Sequence, residues 1–492
     1  MRDYTFGNYI CALREAQGYS QFQLGALVGV SDKAVSKWEN GNSKPRMQTC
    51  IRLAEVLEVP LAELLQGHPC NPIISKERIM DQKKTLWNQA EANLRDRYGA
   101  DLPIAFAGRL ATEKLETADS NFILHLDFLG KLNEIAEKSN SMISVRGTIH
   151  SSLTGWLMHA TAVNPLPPHQ YCPLCHRVIL RPEVKDGWDL PAETCECGGK
   201  LRRDGHSIPF ESVSRQIWSS GTSIEVDIPA RMLEAGQRLV QDYYGGLFHV
   251  VPVAYLGIDY PMKLCKYLLL SRDTDLPHRD SDSILHLTPE EYHKKYGHDD
   301  SVLLVVSTNG PDDCNVKSME DSLSPEKEDG VYERLVHQLG QVNEAQGISK
   351  EAAARNRDIA DKLSGMPTCF SKLLKYFALC HSTGAWEDNG AELVKSGAVP
   401  IELLPACRED IWDMIQKHAS LSDNTGNGIA QKFMEAAKLG TYARHGMPPE
   451  DAALLRRCGV PDWFVSYLKN IFYLFPKGHC IDRLLRMFVR EL

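Results

Sequence analysis

Four cysteines in the stretch YCPLCHRVILRPEVKDGWDLPAETCECGGKLRRDGH constrain the fold of this chain more than any other feature. Cys172 and Cys175 form one close pair and Cys195 and Cys197 another, about twenty residues further on, which is the spacing of a zinc ribbon. In such a ribbon each pair sits on a tight knuckle and four thiolates complete a tetrahedron. The expected Zn2+ then has no open position for water, and its role is structural. The second pair is Cys-x-Cys, tighter than the usual Cys-x-x-Cys, and His176 is a substitute ligand. The competing reading is four buried thiols without metal.

The metal reading depends on the redox compartment. The N-terminus, MRDYTFGNYI, lacks a basic region followed by an apolar core, and no apolar run reaches the length of about 18 residues that a membrane helix needs. A cytoplasmic protein with no membrane partner is expected. The 14 cysteines are therefore read as thiols or metal ligands rather than disulfides. With 492 residues, 43% of them hydrophobic and 24% charged, the chain has room for several globular domains. A net charge of −9 excludes a general nucleic-acid coat but leaves local basic faces open.

The first 67 residues separate from the rest. Phe6, Ile10 and Leu13 follow helical spacing, and GYSQFQLGALVGVSDKAVSKWENGNSKP repeats the pattern twice across a tight break at Gly29. Ser20 and Ser31 are suited to cap the two helices. Val30, Val35 and Trp38 are expected to face inward, leaving Asp32, Lys33, Ser36 and Lys37 outward, as on a recognition helix in a major groove. A further helix, MQTCIRLAEVLEV, with Ile51, Ala54 and Leu57 on one side, closes a small bundle. Further along, GTSIEVDIPARML holds Glu225 and Asp227 one residue apart in an apolar run. On a strand both would share a face, where paired carboxylates can hold a divalent metal for phosphoryl chemistry.

Two resemblances give these pieces a context. The N-terminal stretch resembles the Cro/repressor-type (XRE) helix-turn-helix family along its whole length, including its Ser-Gln helix start, its Gly-Val-Ser turn and its Trp-Glu-Asn-Gly end. The resemblance implies a double-stranded DNA partner, with Gln21 and Lys44 on phosphates and Asp32, Lys33, Ser36 and Lys37 at base edges. Its basic residues, Arg2, Arg14, Lys33, Lys37, Lys44, Arg46 and Arg52, are matched one for one by Asp3, Glu15, Asp32, Glu39, Glu55, Glu58 and Glu63. Phosphate attraction is then modest, and a homodimer is expected to supply useful affinity. A small helical protein-interaction module is the alternative.

The flanks of the cysteine cluster carry the second resemblance. SVRGTIHSSLTGWLMHATAVNPLPPHQYCPLC before it and CGGKLRRDGHSIPFES after it resemble the PolC-type DNA polymerase III alpha subunit, in which these segments form a phosphate loop, the lead into a zinc module and the return into the palm. RDRYGADLP, at 95 to 103, matches the start of that palm. TCFSKLLKYFALCHSTGAWEDNGAELVKSG, CREDIWDMI, KFMEAAKLG and CGVPDWFVSYLKNIFYLFPKGH follow its helical fingers in order. The implied fold is multidomain α+β: an all-α helix-turn-helix bundle (1–67), an α/β polymerase-like palm with its phosphate loop (75–168), a small zinc ribbon (169–210), the second part of the palm with acidic loops (211–330), and an α-helical fingers domain (331–492).

Polymerisation in that family uses two metal ions held by three palm carboxylates. Counted without a gap from IPFE, the first acid position falls on Ser223 and the second on Glu225; in SVLLVVSTNGPDD the third falls on Ser307. A hydroxyl supplies neither the charge nor the strong oxygen ligation that two dications need, so an inactive core is expected. The alternative is a minimal accessory polymerase in which Glu225 and Asp227 hold Mg2+ after a two-residue shift, with Asp312 or Asp313 as the third ligand. In the phosphate loop Arg146, Gly147, Ser151 and Ser152 are kept, but His150 replaces a glycine whose lack of a side chain lets backbone approach phosphate. Lys438, Lys477 and His479 in the fingers are kept, so weak nucleotide or DNA-phosphate binding is implied; Leu439 replaces a further basic position. A nucleotide, a DNA end or a replisome component is the expected partner of this core. The polar segments 270–300 and 309–330 read as acidic surface loops, and VNEAQGISKEAAARNRDIADKL as a solvated connector helix.

Overall fold

The computed structural model describes residues 4–57, 59, 64, 76–139, 141–145, 147–213, 223–228, 232–244, 249–255, 265–271, 302–307, 335, 350–363, 369–418 and 424–490. Apart from Leu270 and Ser271, the two acidic segments lie outside them. The chain divides into two compact units, residues 1–81 with 240–250, and residues 82–239 with 251–492.

The first unit opens with four helices: α1 (Tyr4–Ala16), α2 (Gln21–Val28), α3 (Asp32–Glu39) and α4 (Met47–Val56). Ser20 starts α2 through a capping box, its hydroxyl accepting from the Gln23 N–H while the Gln23 amide oxygen accepts from the Ser20 N–H. Gly29 ends α2 with φ of 75°, a left-handed conformation that glycine adopts without the Cβ clash other residues meet. Ser31 then caps α3 by accepting from the Ala34 N–H. Phe6, Ile10, Leu24, Val28, Val35, Trp38, Leu53, Ala54 and Leu57 form the shared core. Ile51, expected on the inner side of α4, is instead 41% exposed. Cys50 and Leu53 take the inner face beside Ala54, so the apolar stripe runs one position away from the one read in the sequence.

Apart from residues 240–244 and 249–250, the rest of the described chain belongs to the second unit. Its helices are α5 (Lys76–Tyr98, which begins just before the division), α6 (Ile104–Glu116), α7 (Phe122–Lys138) and the short α8 (Leu153–Leu157). A three-stranded antiparallel sheet follows, β2 (His169–Tyr171) between β3 (Val178–Leu180) and β4 (Arg202–Asp204). The larger sheet has five strands in the order β1-β5-β8-β7-β6: β1 (Ser144–Val145), β5 (Ser223–Asp227), β6 (His249–Tyr255), β7 (Cys265–Ser271) and β8 (Val302–Ser307). β5 pairs antiparallel with β1 and parallel with β8. The helix α9 (Leu233–Tyr244) lies between β5 and β6 in sequence.

The C-terminal half is helical: α10 (Lys350–Lys362), α11 (Phe370–His381), α12 (Ala391–Lys395), α13 (Arg408–His418), α14 (Asn424–Leu439), α15 (Thr441–His445), α16 (Pro449–Arg457), α17 (Asp462–Lys469) and α18 (Lys477–Arg490). Phe370, Leu373, Phe377, Ile411, Phe433, Phe464 and Leu484 are among the side chains of its continuous core. Asn356, Ile359 and Leu363 are buried as well, and α10 packs on α11. The solvated connector expected there is therefore an amphipathic core helix. Its charged residues dominate the sequence pattern, while its apolar face is only a few residues wide.

Candidate functional site

Three constellations carry chemistry, beginning with the N-terminal unit. On α3, Asp32, Lys33 and Lys37 are exposed and Ser36 is half-buried, while Val35, Trp38 and Glu39 face the core. The outward row expected of a recognition helix is thus present. Gln21 and Lys44 have internal contacts instead of free ends: the Gln21 amide donates to Glu39 Oε2 at 2.7 Å, and Lys44 Nζ lies 5.8 Å from the centre of the Phe6 ring. Glu39 is the hub of this unit. It accepts from Arg14 Nε at 2.6 Å and from Arg14 Nη2 at 3.1 Å, and both side chains are nearly buried.

In the zinc module the four thiols Cys172, Cys175, Cys195 and Cys197 come together with all sulfurs within 4.8 Å of one another. The Cys172–Cys197 and Cys175–Cys195 distances are 3.4 and 3.6 Å, close to the roughly 3.8 Å edge of a tetrahedron with Zn–S bonds of about 2.3 Å. Each pair sits on a knuckle. The His176 N–H donates to Cys172 O, and the Gly198 N–H donates to Cys195 O. Gly199 belongs to the site as well, because a Cβ there would stand 2.9 Å from Cys172 Sγ. The thiols share their protons unequally: the Cys172 thiol is lowered to about 6, first by the backbone N–H of Cys175, while the Cys197 thiol, against the Gly199 N–H that lowers it, is raised to about 12 by its sulfur neighbours. The donor set fits Zn2+. His176 stands outside it, its Nδ1 donating to Arg97 O at 3.1 Å.

The third constellation surrounds the phosphate loop. Gly147 has φ of 89° and leads into a short turn, Thr148–Ser151, before α8; Arg146 lies outside the described residues. Ser151 and Ser152 are fully buried. Ser152 caps α8, and the N–H groups of Leu153 and Thr154 donate to Glu113 at 2.7 and 2.9 Å. The Ser152 hydroxyl donates to the same carboxylate, which is held by Arg109 at 2.7 Å. An internal anion therefore occupies the donors at the start of α8.

His150 fills the centre of the loop. Its side chain is fully buried, with Nε2 donating to Val145 O at 2.6 Å and Nδ1 accepting from the Thr161 hydroxyl at 2.7 Å. Thr161 in turn accepts from the Val163 N–H, and burial favours the neutral imidazole in this arrangement. Asp482 lies 3.7 Å away, paired with Arg486 at 2.6 Å; although burial opposes its ionisation, Arg486 holds its carboxyl down at about 2. A Cβ on Gly478 would stand 2.9 Å from His150 Cβ, so the start of α18 closes on the loop only because residue 478 is glycine.

Burial lowers the affinity of His150 for a proton below its ordinary value of 6.5. Protonation then favours the unfolded chain, and the stability held by this group is complete above pH 6.5 and lost as pH falls below it. His150→Gly is expected to cost on the order of 3 kcal/mol, from the lost packing and two lost hydrogen bonds. It should also flatten the fall in the urea midpoint of this unit below pH 6.5, measured beside the parent chain.

The remaining cations separate. Lys438 lines a cavity of about 420 Å3 with Thr148, Arg408 and Lys432, and donates to Glu435 at 2.9 Å. Lys477 faces a different cavity, of about 380 Å3, and donates to His206 O at 2.5 Å. His479 stacks on Phe475 with ring centres 5.7 Å apart. The resemblance implies weak phosphate binding at these three residues, and Lys438 and Lys477 line different cavities. Sequence reasoning missed Glu113 and Arg109, whose i, i+4 spacing on α6 was the available signal.

In the larger sheet Ser223 pairs with Leu303, Glu225 with Val305 and Asp227 with Ser307 across β5 and β8. Ser144 of β1 lies against Asp227 on the other side. The backbone thus puts Asp227, rather than Glu225, in the row of Ser307.

Residues 12–64 match the helix-turn-helix family (HTH_3), so this segment is a helix-turn-helix domain of the XRE type. Most of the chain is similar to DNA polymerase III of the PolC type. It is 26% identical over 446 residues to the protein of Lacticaseibacillus paracasei, covering 78% of this chain and 30% of that one. It is 26% identical over 503 residues to that of Thermotoga maritima, covering 87% and 34%. It is 25% identical over 449 residues to that of Staphylococcus aureus, covering 79% and 30%. The chain spans about a third of the length of these relatives.

Proposed function

We propose that this protein is a transcriptional regulator that binds double-stranded DNA through residues 1–67 and carries a catalytically inactive PolC-like core as a sensor or interaction module. The observation that carries the reading is the parallel pairing of β5 with β8, which supports their assignment as the palm strands and carries serine at the positions counted as the first and third acids, Ser223 and Ser307. Three independent features support it. His150 and Gly478 close the phosphate loop against α18, Glu113 fills the donors at the start of α8, and Lys438 and Lys477 line separate cavities. The proposed layout is palm at 75–168 and 211–330, zinc ribbon at 169–210 and fingers at 331–492. Zn2+ is structural, and a nucleotide, a DNA end or a replisome component is the partner of the core. A homodimer doubles the weak phosphate contact of a charge-balanced domain.

The second reading, a minimal accessory polymerase using Glu225, Asp227 and Mg2+, draws on one observation, the register of Asp227 with Ser307. Its metal set would need Asp312 or Asp313, which lie outside the described residues.

In-vitro selection of duplex DNA with the full chain tests the regulator. The expected product is a short, palindromic preferred site whose binding weakens at least tenfold, about 1.4 kcal/mol, on Lys33→Ala with Lys37→Ala. Recovery of no preferred sequence would sink the reading.

A further inference from the structure

A cleft of about 340 Å3 opens where α5, the C-terminal end of α8 and the zinc module meet, and it shares no lining residue with the cavity at Thr148 and Lys438. Its floor is aromatic: Trp156 and Tyr171 are both buried. Between them stands Arg97, its guanidinium 4.5 Å from the centre of the Trp156 ring and donating to the Tyr171 hydroxyl at 3.1 Å. The rim is basic, with His159, His176 and Arg202 all exposed, and Asp96 is the sole carboxylate in the lining.

The two histidines are conformationally unusual. His159 and His176 have φ of 57° and 60°, and they are two of the four non-glycine residues with positive φ among the described residues. Each stands where the backbone alone would be better served by glycine: His159 follows the end of α8, and His176 closes the first zinc knuckle. The chain places imidazoles at both positions, and both reach the same rim. Sparsely populated backbone conformations of this kind gather at binding sites.

We propose that this cleft binds one unpaired nucleotide unit. The base stacks on the Arg97 guanidinium plane, which is itself stacked on Trp156, with the imidazoles of His159 and His176 at its edge; the phosphate lies on Arg202. A cleft of about 340 Å3 matches a small-molecule pocket and takes a single base with its sugar, whereas a duplex keeps its bases stacked inside and presents none to such a floor. The unit comes either as a free mononucleotide or as one residue of a single strand; the chemistry of recognition is the same. The site stands independently of the regulator reading.

The test uses the zinc-loaded full chain carrying Lys33→Ala and Lys37→Ala, which removes the two exposed lysines of α3 from the readout. Fluorescence anisotropy follows a labelled short oligothymidylate, with thymidine monophosphate as competitor. Saturable binding is expected, weakened at least tenfold by Arg202→Glu and by His159→Gly, the latter chosen because glycine keeps the backbone conformation. Equal zinc content and equal thermal midpoints in the variants show that the fold is intact. Displacement by the monophosphate marks a mononucleotide site, and resistance to it marks a strand site; both support the assignment. No saturable binding of either probe, or binding that both variants leave unchanged, would overturn it.

Discussion

Cys172→Ser is expected to bring zinc from about one ion per chain to nearly none and to unfold the two knuckles that carry Cys172 to Cys175 and Cys195 to Cys197. The reason is the size of the local core: Cys172 and Cys195 are themselves core residues, grouped among the described residues with Leu201 and the partly buried Ile179. So small an apolar cluster does not offset the entropy of ordering the surrounding chain, whereas a structural zinc contributes on the order of 10 kcal/mol. Metal analysis of the purified variant, with limited proteolysis mapped to the two knuckles, reads the effect. The loss should spread to the cleft on α5, because Arg97 is tied to Tyr171 and to His176. Unchanged zinc content would mean that the four sulfurs do not form the site.

The second large effect lies in the N-terminal unit. Glu39→Ala leaves the nearly buried Arg14 with only the longer contact to the exposed Glu15 carboxylate at 3.4 Å, and Gln21 loses its acceptor with it. Breaking such a pair from one side costs about 3–5 kcal/mol, a large share of the stability of a small bundle. The variant should lose the unit's own thermal transition and its duplex-DNA binding together. Arg14→Met with Glu39→Leu removes both charges and should recover most of the stability, since packed apolar residues replace a buried pair at little cost. A single Glu39→Ala change within experimental error of the parent would contradict the role of this pair.

How much of this was legible in the sequence depends on whether a feature is local. Ser20, Gly29 and Ser31 act within one turn of themselves, and the helices they bound stand where the pattern put them. The cysteine spacing likewise named the four thiols, while His176 was separated from them by a backbone hydrogen bond to Arg97, far away in the chain. Ile51 shows the limit of helical periodicity: two adjacent stripes fit the pattern of α4, and packing selected Cys50 and Leu53. The loop was harder. His150 was recognisable as out of place, but its partners Thr161 and Asp482 and its neighbour Gly478 are brought to it by tertiary structure alone. That Lys438 and Lys477 line separate cavities is hidden for the same reason, since sequence order holds no information on which cavity a lysine faces.

The central claim is a DNA-binding protein whose polymerase-like core is catalytically silent. Its most direct measurement is primer extension by the full chain on a primed template with Mg2+ and, separately, Mn2+, set beside the Glu225→Ala, Asp227→Ala double variant. The account predicts no extension above the enzyme-free background with either metal, and no difference between the two proteins. Template-dependent extension that disappears in the double variant would contradict it.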